Sequence, residues 1–356
     1  MTLSRLPRAH PTATLISALL FLLAGCGESG DGHKVTQLEG RVFGTFYRIS
    51  LAGELSQTRQ EAIHDRVRQR LDTVDRQMST WRDDSDLNRL NNAAPGEWVG
   101  LPEPLTNLLA RSRTIASATG GAFDITVGGL VNLWSFGPEA RPAEKPSQEE
   151  LRARLAQVGY DKVEVDTASD RARRLTAASV DLSAIAKGHA VDLLGALLEQ
   201  EGYPDHLVNI GGDLLASGRK PSGEPWQIGI EVPRDGRQSA RHIVPLSNLS
   251  LATSGDYRNY FEQDGRRYSH TIDPRDGRPV QHRLASVSVF HPQNTMADAL
   301  ATAFMVMGME RALAYAREHD IAALLIERHG ERFRTRLSPA LESILDDGVL
   351  ERLLND

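Results

Sequence analysis

The chain has little cysteine, no excess of basic charge and few long apolar segments. Cys26 is the only cysteine among its 356 residues, so no disulfide can form within the chain and the core alone must hold the fold. Acidic side chains outnumber basic ones by 47 to 41, which argues against a nucleic-acid partner whose phosphates need a basic surface. Hydrophobic residues make up 40% of the chain and exclude wholesale disorder, and the length suits one large domain or two ordinary ones.

The long apolar run of the chain lies at its N-terminus, at residues 15–24, behind a segment that carries Arg5, Arg8 and no acidic residue. A helix that crosses a bilayer needs about twenty apolar residues, and this run has roughly ten. The pattern therefore predicts an export signal and no transmembrane segment.

The apolar run ends in Leu-Ala-Gly-Cys at residues 23–26. This ending resembles the bacterial lipobox, in which the cysteine is acylated and becomes the new N-terminus. An incidental cysteine in a plain cleaved signal is the alternative. We predict a lipoprotein signal peptide at 1–25, a lipid on Cys26, and a protein that faces the periplasm from the inner or outer membrane. Gly27 after the cysteine favours the outer membrane.

Three segments follow the predicted signal. Residues 26–37 begin with a Gly, Ser and Asp-rich stretch and are predicted to form a flexible tether. Residues 38–335 carry dense strand and helix patterns, and 336–356 are typical of a helical tail. Alternation at 42–51 predicts a strand, and apolar spacing at 59–78 predicts an amphipathic helix.

The later strands come in runs and do not alternate regularly with helices. Two of them flank Asp264-Gly265, a dipeptide typical of tight hairpins. Runs of strands with segregated helices indicate an α+β fold with largely antiparallel strands.

Asp298 and Thr302 are two hard oxygen donors four residues apart on an otherwise apolar helical segment, so they share one helix face. Such a pair suits a divalent cation such as Mg²⁺, which takes few protein oxygens and completes its shell with water and phosphate. The structural alternative is a capping box begun by Thr295, with Asp298 as its third helical residue and Thr302 bonded to a carbonyl one turn earlier. The spacing leaves both interpretations open.

Two glycine loops and one histidine are further candidates. The loops at 209–213 and 254–256 follow strands and could bring backbone N–H groups against phosphate, although neither matches a Rossmann or P-loop motif. Loop glycines are more often turn formers. His270 ends a predicted strand and could act as a general base, although a histidine in such a position is more often structural.

Eight separated blocks, in order along residues 38–330, resemble the ApbE family of FAD:protein FMN transferases. The blocks are Phe43-Gly44-Thr45-Phe46, Met78-Ser79-Thr80-Trp81, Ala122-Phe123-Asp124-Ile125-Thr126-Val127-Gly128, Val131-Asn132-Leu133-Trp134-Ser135-Phe136-Gly137-Pro138, Val180-Asp181-Leu182-Ser183-Ala184-Ile185-Ala186-Lys187-Gly188, Thr253-Ser254-Gly255-Asp256-Tyr257-Arg258-Asn259, Ser269-His270-Thr271-Ile272-Asp273-Pro274 and Ala297-Asp298-Ala299.

The resemblance implies an ApbE-like fold with the flavin site between its two halves. It implies an exported lipoprotein that binds FAD and Mg²⁺, attaches FMN through its phosphate to a threonine of a partner protein, and releases AMP. The implied partners are exported flavin-acceptor proteins with a threonine-containing motif, for example subunits of respiratory NADH:quinone or Rnf-type complexes. The lipid anchor adds the membrane as a partner, and no nucleic acid is implied.

The resemblance also implies a set of site residues by position. The metal would be held by the carbonyl of Ala184, the carboxylate of Asp298 and the hydroxyl of Thr302. The FAD site would be lined by Phe43, Trp81, Ala122, Phe123, Asp124, Asp181, Lys187 and Ile272. His270 falls at the family's histidine and is the candidate for handling the threonine proton. Two departures are Trp81, where members often have Tyr, and Ala301, where some have a second Asp.

Two other functions compete with FMN transfer. One is a non-catalytic flavin-binding lipoprotein, which needs no metal ligands, so Asp298 and Thr302 on one helix face count against it. The other is hydrolysis of FAD to FMN and AMP, which shares every site residue with transfer because water merely replaces threonine.

Overall fold

The computed structural model of the protein describes residues 34–231, 240–257, 259–330 and 332–354. The predicted signal peptide, Cys26 and most of the predicted tether lie outside these ranges. Among the helices within them, none combines the length and the apolar character that crossing a membrane requires.

The described residues form seventeen strands and ten α-helices. The strands are β1 Val35–Val42, β2 Thr45–Ala52, β3 Val99–Gly100, β4 Val163–Asp166, β5 Arg171–Arg174, β6 His206–Ile210, β7 Asp213–Ser217, β8 Trp226–Glu231, β9 Ala240–Leu246, β10 Leu249–Gly255, β11 Tyr260–Gln263, β12 Arg266–Ser269, β13 Ile272–Asp273, β14 Arg278–Pro279, β15 Leu284–His291, β16 Ala322–His329 and β17 Arg332–Leu337. The helices are α1 Gln57–Met78, α2 Asp86–Asn92, α3 Glu103–Ala118, α4 Gly128–Leu133, α5 Gln148–Leu155, α6 Ala186–Gln200, α7 Asn294–Met307, α8 Met309–Glu318, α9 Pro339–Ile344 and α10 Asp347–Leu354.

An eight-stranded sheet forms the centre of the fold. Its strands lie in the order β1, β2, β6, β7, β10, β15, β16, β17, and every neighbouring pair is antiparallel. Two-stranded sheets are formed by β8 with β9, by β11 with β12 and by β13 with β14, and β3, β5 and β4 form a three-stranded sheet. This architecture confirms the predicted α+β class with largely antiparallel strands.

The central sheet is buried on both faces. In β16, Ala323 and Leu325 pack in the main core, while Leu324 and Ile326 pack in a second core on the other side. Because successive side chains of a strand point to opposite faces, a strand covered on both sides carries a continuous apolar run. Helices α6 and α7 cover the first face, and α9 and α10 contact the second layer.

A third, smaller core lies beside the two-stranded sheet of β11 and β12. Trp134 stacks on Tyr268 with ring centroids 5.5 Å apart, and Tyr268 stacks on Phe261 at 5.1 Å. The indole N–H of Trp134 donates a hydrogen bond of 2.8 Å to the carbonyl of Gly277. The predicted hairpin turn is present, because Asp264 and Gly265 both adopt positive φ angles, 53° and 70°.

Three sequence-based boundaries differ from the structure. The strand predicted at 42–51 is β2 and starts at Thr45, because Phe43 and Gly44 take positive φ angles of 50° and 72° and reverse the chain between β1 and β2. The predicted tether is shorter than 26–37, since Val35 already pairs with Ala52 in β1. The predicted helical tail at 336–356 begins later, because β17 continues to Leu337 and α9 starts at Pro339.

Candidate active site

Asp298 lies at the contact between α6 and α7. Its carboxylate is 4% exposed, and its Oδ2 accepts the backbone N–H of Gly188 at 3.0 Å. A Cβ at position 188 would lie 2.5 Å from the carbonyl oxygen of Asn294 and 2.8 Å from the Cβ of Asp298. Only glycine therefore allows the first turn of α6 to approach this carboxylate so closely.

The structural alternative, a capping box begun by Thr295, is wrong. Helix α7 begins at Asn294, so Thr295 is inside it, and the first N–H groups of α7 are bound by Asp192 of α6. Asp192 accepts the N–H of Asn294 at 2.7 Å, the N–H of Thr295 at 2.9 Å and the hydroxyl of Thr295 at 2.5 Å. A carboxylate from another helix thus takes the capping position, and the Asp298 side chain turns to Gly188 instead.

Thr302 lies one turn after Asp298 on the same face of α7. Its hydroxyl lies 3.1 Å from the hydroxyl of Ser254 at the end of β10, not on a carbonyl one turn earlier as the structural alternative predicted. Ser254 belongs to the second predicted glycine loop, so this contact brings that loop to the helix face that carries Asp298.

Lys187 lies between two buried carboxylates. Its Nζ forms an ion pair with Asp213 at the start of β7 and lies 3.8 Å from Oδ1 of Asp298. The pKa of Asp298 is raised to about 7, chiefly because the group is buried; Lys187 and the Gly188 N–H lower it, and the charge of Asp213 raises it. Two buried carboxylates beside one ammonium group leave spare negative charge, which favours a bound cation.

The donor set around Asp298 suits Mg²⁺ better than a transition metal. Among the residues that the structure describes, no group of three or more His, Cys, Asp or Glu side chains could hold a metal. One carboxylate, the Thr302 hydroxyl on the same helix face and the Ala184 carbonyl that the resemblance implies would make the incomplete hard-oxygen set that Mg²⁺ completes with water and phosphate. The residues therefore fit the predicted metal.

His270 follows β12 directly and is half-buried. Its Nδ1 lies 3.1 Å from the carbonyl oxygen of Asn259, and because a carbonyl can only accept, Nδ1 carries the proton and donates it. Burial lowers the pKa of His270, Lys187 lowers it further, and the Asn259 carbonyl and Asp256 oppose the shift. A neutral ring with Nε2 as its basic atom is the form that a general base requires.

Asp256, near His270, forms an ion pair with Arg328 that was not predicted from the sequence. Its two carboxylate oxygens accept hydrogen bonds of 2.6 and 2.7 Å from the guanidinium of Arg328 on β16. Such a two-point contact orients a carboxylate well. Arg328 is the residue of this region that the sequence analysis missed. Asp213 lies in the predicted glycine loop at 209–213, but that loop was considered for its backbone N–H groups and not for this carboxylate.

Most of the predicted flavin-binding residues come together before α6. The backbone N–H of Asp181 donates to the carbonyl of Ile125 at 2.7 Å, which joins the segment of Ala122, Phe123 and Asp124 to the loop that leads to Ala184 and Lys187. Asp181 accepts the Ser183 N–H through Oδ1. Asp124 accepts the Thr126 N–H and hydroxyl, and burial raises its pKa.

The predicted flavin-binding residues differ in whether their side chains are exposed to solvent. Ala122 and Phe123 are each 1% exposed and pack in the main core, so their backbone is what they can present to a flavin. Ile272 is also buried, in the third core. Trp81 is 69% exposed after the end of α1, which leaves its indole open for stacking, and Phe43 lies at the β1–β2 turn.

Comparisons with known proteins identify the family to which the chain is similar. Residues 43–325 match the ApbE family. An FAD:protein FMN transferase of Klebsiella pneumoniae (strain 342) is 38% identical over 340 residues, which covers 94% of this chain and 97% of that protein. The structure resembles the apo form of the Pseudomonas stutzeri flavinyl transferase ApbE with a TM-score of 0.80 and 40% identity, over 88% of this chain and 98% of that one. The flavin transferase ApbE of Vibrio cholerae gives a TM-score of 0.80 at 36% identity, over 88% and 100%.

Proposed function

Because this chain belongs to the ApbE family, we propose that it transfers FMN from FAD to a threonine hydroxyl of a partner protein, releasing AMP and using Mg²⁺. The curated relatives that match nearly all of the chain are FAD:protein FMN transferases, so the chain is a transferase that uses FAD as its substrate and a protein as its acceptor. The threonine, AMP and Mg²⁺ are the finer part of the proposal. The Asp298 carboxylate beside the Lys187 ammonium, together with a His270 whose Nδ1 donates to Asn259, supports that part.

The side chain of Asp298, the hydroxyl of Thr302 and the carbonyl of Ala184 would hold Mg²⁺. When bound, the ion would neutralise negative charge on phosphate oxygens, which is the main requirement of phosphoryl transfer. Lys187 would add a second positive charge to the same region, because its ammonium lies 3.8 Å from the Asp298 carboxylate.

His270 would act on the acceptor. In the transfer step, the threonine oxygen forms a bond to the phosphorus of the FMN part of FAD. The bond from that phosphorus to the bridging oxygen breaks, and AMP leaves with the bridging oxygen. Nε2 of His270 takes the proton of the threonine hydroxyl, since Nδ1 already carries a proton that it donates to Asn259. A positioned base of this kind contributes roughly a hundredfold to ten-thousandfold in rate.

The acceptors that we propose are exported proteins, and the enzyme would meet them on the periplasmic side of a membrane. Support comes from the apolar run at 15–24 and its Leu-Ala-Gly-Cys ending, which predict a lipid anchor at Cys26. The lipid and the localisation both concern residues outside the described ranges.

The proposed function is tested by incubating the purified chain with FAD, Mg²⁺ and a candidate exported flavoprotein subunit. Mass spectrometry of the acceptor should show one added FMN on threonine, and chromatography should show an equal amount of AMP. An acceptor whose threonine is replaced by valine is the matched control. AMP without flavinylated acceptor would favour FAD hydrolysis, and neither product would favour flavin binding alone.

The Asp298→Ala variant tests the metal in the same assay. Loss of a ligand that helps to neutralise phosphate charge should lower the transfer rate more than about a hundredfold. Near-normal transfer by this variant, insensitive to EDTA, would contradict the metal assignment.

A further inference from the structure

The contacts of Lys187 with its two neighbouring carboxylates are unequal. Its ammonium group forms a direct ion pair with Asp213, whereas Oδ1 of Asp298 lies 3.8 Å away, beyond hydrogen-bond distance. Asp213 and Asp298 are 1% and 4% exposed, so water does little to screen either interaction. Of these two carboxylates, Asp213 is therefore the one that holds the Lys187 ammonium directly.

The central sheet fixes the Asp213 carboxylate. Asp213 is the first residue of β7, and the next residue, Leu214, pairs with Leu251 of β10. While Oδ2 contacts Lys187, Oδ1 accepts the backbone N–H of Thr253 on β10 at 3.3 Å. Because the Thr253 N–H holds Oδ1 independently of Lys187 and Asp213 is buried, the long lysine side chain is the partner that can adjust.

We propose that Asp213 is a positioning residue that keeps the Lys187 ammonium off Asp298, so that the Asp298 carboxylate stays available to a divalent cation. This inference rests on the proposed function, because it takes the cation at Asp298 from that proposal. Asp213 acts in two ways. It binds the ammonium in one place, and its charge compensates the lysine charge that would otherwise repel a cation at Asp298.

Removal of the Asp213 charge should therefore weaken cation binding through Lys187. In Asp213→Asn, the Asp298 carboxylate remains 3.8 Å from the Lys187 ammonium, and an ammonium that closes this gap would compete with the metal. We expect the affinity for a divalent cation to fall at least about tenfold, since close charge pairs in a buried site are worth that much or more.

Mn²⁺ is the probe, because it takes the same oxygen ligands as Mg²⁺ and the unbound ion can be counted by electron paramagnetic resonance. Titrations compare the wild-type full chain with Asp213→Asn, Lys187→Met and the double variant. Lys187→Met should bind Mn²⁺ at least as tightly as wild type, and the double variant should bind within about threefold of Lys187→Met. Asp166→Asn, which breaks an ion pair with Arg171 at 3.0 Å on the separate three-stranded sheet, is the matched control and should bind like wild type.

Three outcomes would overturn the inference. The wild-type chain binds no Mn²⁺, or Asp213→Asn binds Mn²⁺ with wild-type affinity. The third is a double variant that binds Mn²⁺ as weakly as Asp213→Asn, because that result would make Asp213 itself a metal ligand. If Asp213→Asn fails to fold, Lys187→Met decides, because weaker binding by that variant contradicts the repulsion on which the inference depends.

FMN transfer, measured in parallel, separates this inference from the proposed function. A chain that shows the expected Mn²⁺ pattern without transferring FMN would refute the proposed function and leave the role of Asp213 standing. A chain that transfers FMN while Asp213→Asn binds Mn²⁺ normally would do the reverse.

Discussion

The stability of the metal-free protein should depend on pH through Asp298, and Asp298→Asn isolates that dependence. The pKa of Asp298 is about 7 in the folded protein, against an ordinary value of 3.8, chiefly because the carboxyl group is buried. The folded state therefore holds this proton to a higher pH than the unfolded state does. The protonated Asp298 therefore stabilises the folded state relative to a folded state with an ionised Asp298. This stabilisation is complete below pH 3.8 and is lost as the pH rises toward 7.

The size of the effect follows from the difference between the two pKa values. Each unit of pKa difference is worth about 1.4 kcal/mol, so the full shift corresponds to roughly 4 kcal/mol. Between about pH 5 and about pH 8, wild type should lose about 3 kcal/mol of unfolding free energy relative to Asp298→Asn, whose side chain does not titrate. Because every other ionisable group is common to both proteins, the difference between them reports this one carboxyl group.

Urea unfolding of both proteins in EDTA, followed by circular dichroism at the two pH values, measures this difference. Saturating Mg²⁺ supplies the control, because a cation that binds the ionised carboxylate should restore stability to wild type at the higher pH and have little effect on Asp298→Asn. Parallel stability changes of the two proteins in EDTA would show that Asp298 is already ionised at low pH, and the account of its buried charge would be wrong.

Three further variants test the base, the anchor and the helix contact. His270→Ala should still bind FAD while its transfer rate falls at least about a hundredfold, because a base acts in the transition state; equal losses of FAD affinity, thermal stability and rate would mark a structural histidine. Cys26→Ala should move the protein from the membrane to the soluble fraction after cell fractionation, and a membrane-bound variant would contradict lipidation. Gly188→Ala should lower both the unfolding free energy and Mg²⁺ affinity, since its Cβ would lie 2.5 Å from a backbone carbonyl; unchanged Mg²⁺ affinity would show that the helices adjust without moving Asp298.

Short sequence patterns predicted some turns and strands of the fold and missed others. The dipeptide Asp264-Gly265 identified the two strands that flank it, because a tight hairpin requires residues that tolerate positive φ angles. The turn between β1 and β2 left no such signal, since Phe43 takes a positive φ that favours glycine or asparagine. The start of β1 was missed because this strand is largely exposed and has few apolar side chains.

The helix that carries Asp298 and Thr302 was predictable from the sequence, but the contacts around it were not. The spacing of Asp298 and Thr302 placed both on one helix face, and the structure confirms this helix. The capping prediction failed because Asp192, more than a hundred residues earlier in the chain, binds the start of α7. The pairing of Lys187 with Asp213 and of Arg328 with Asp256 likewise depends on distant segments meeting, which no local pattern records.

Helices α6 and α7 each bind N–H groups of the other helix through a carboxylate. These two contacts hold the Asp298 side chain in place within the folded chain. Asp192 of α6 binds the first N–H groups of α7, and Asp298 of α7 binds the Gly188 N–H in the first turn of α6. Each contact fixes the register of one helix against the other, because a helix N-terminus favours a nearby negative charge. The Asp298 carboxylate is therefore held in place by the packing of the fold, so binding a cation there need not first order the side chain, and the cost of ordering it is already met by folding.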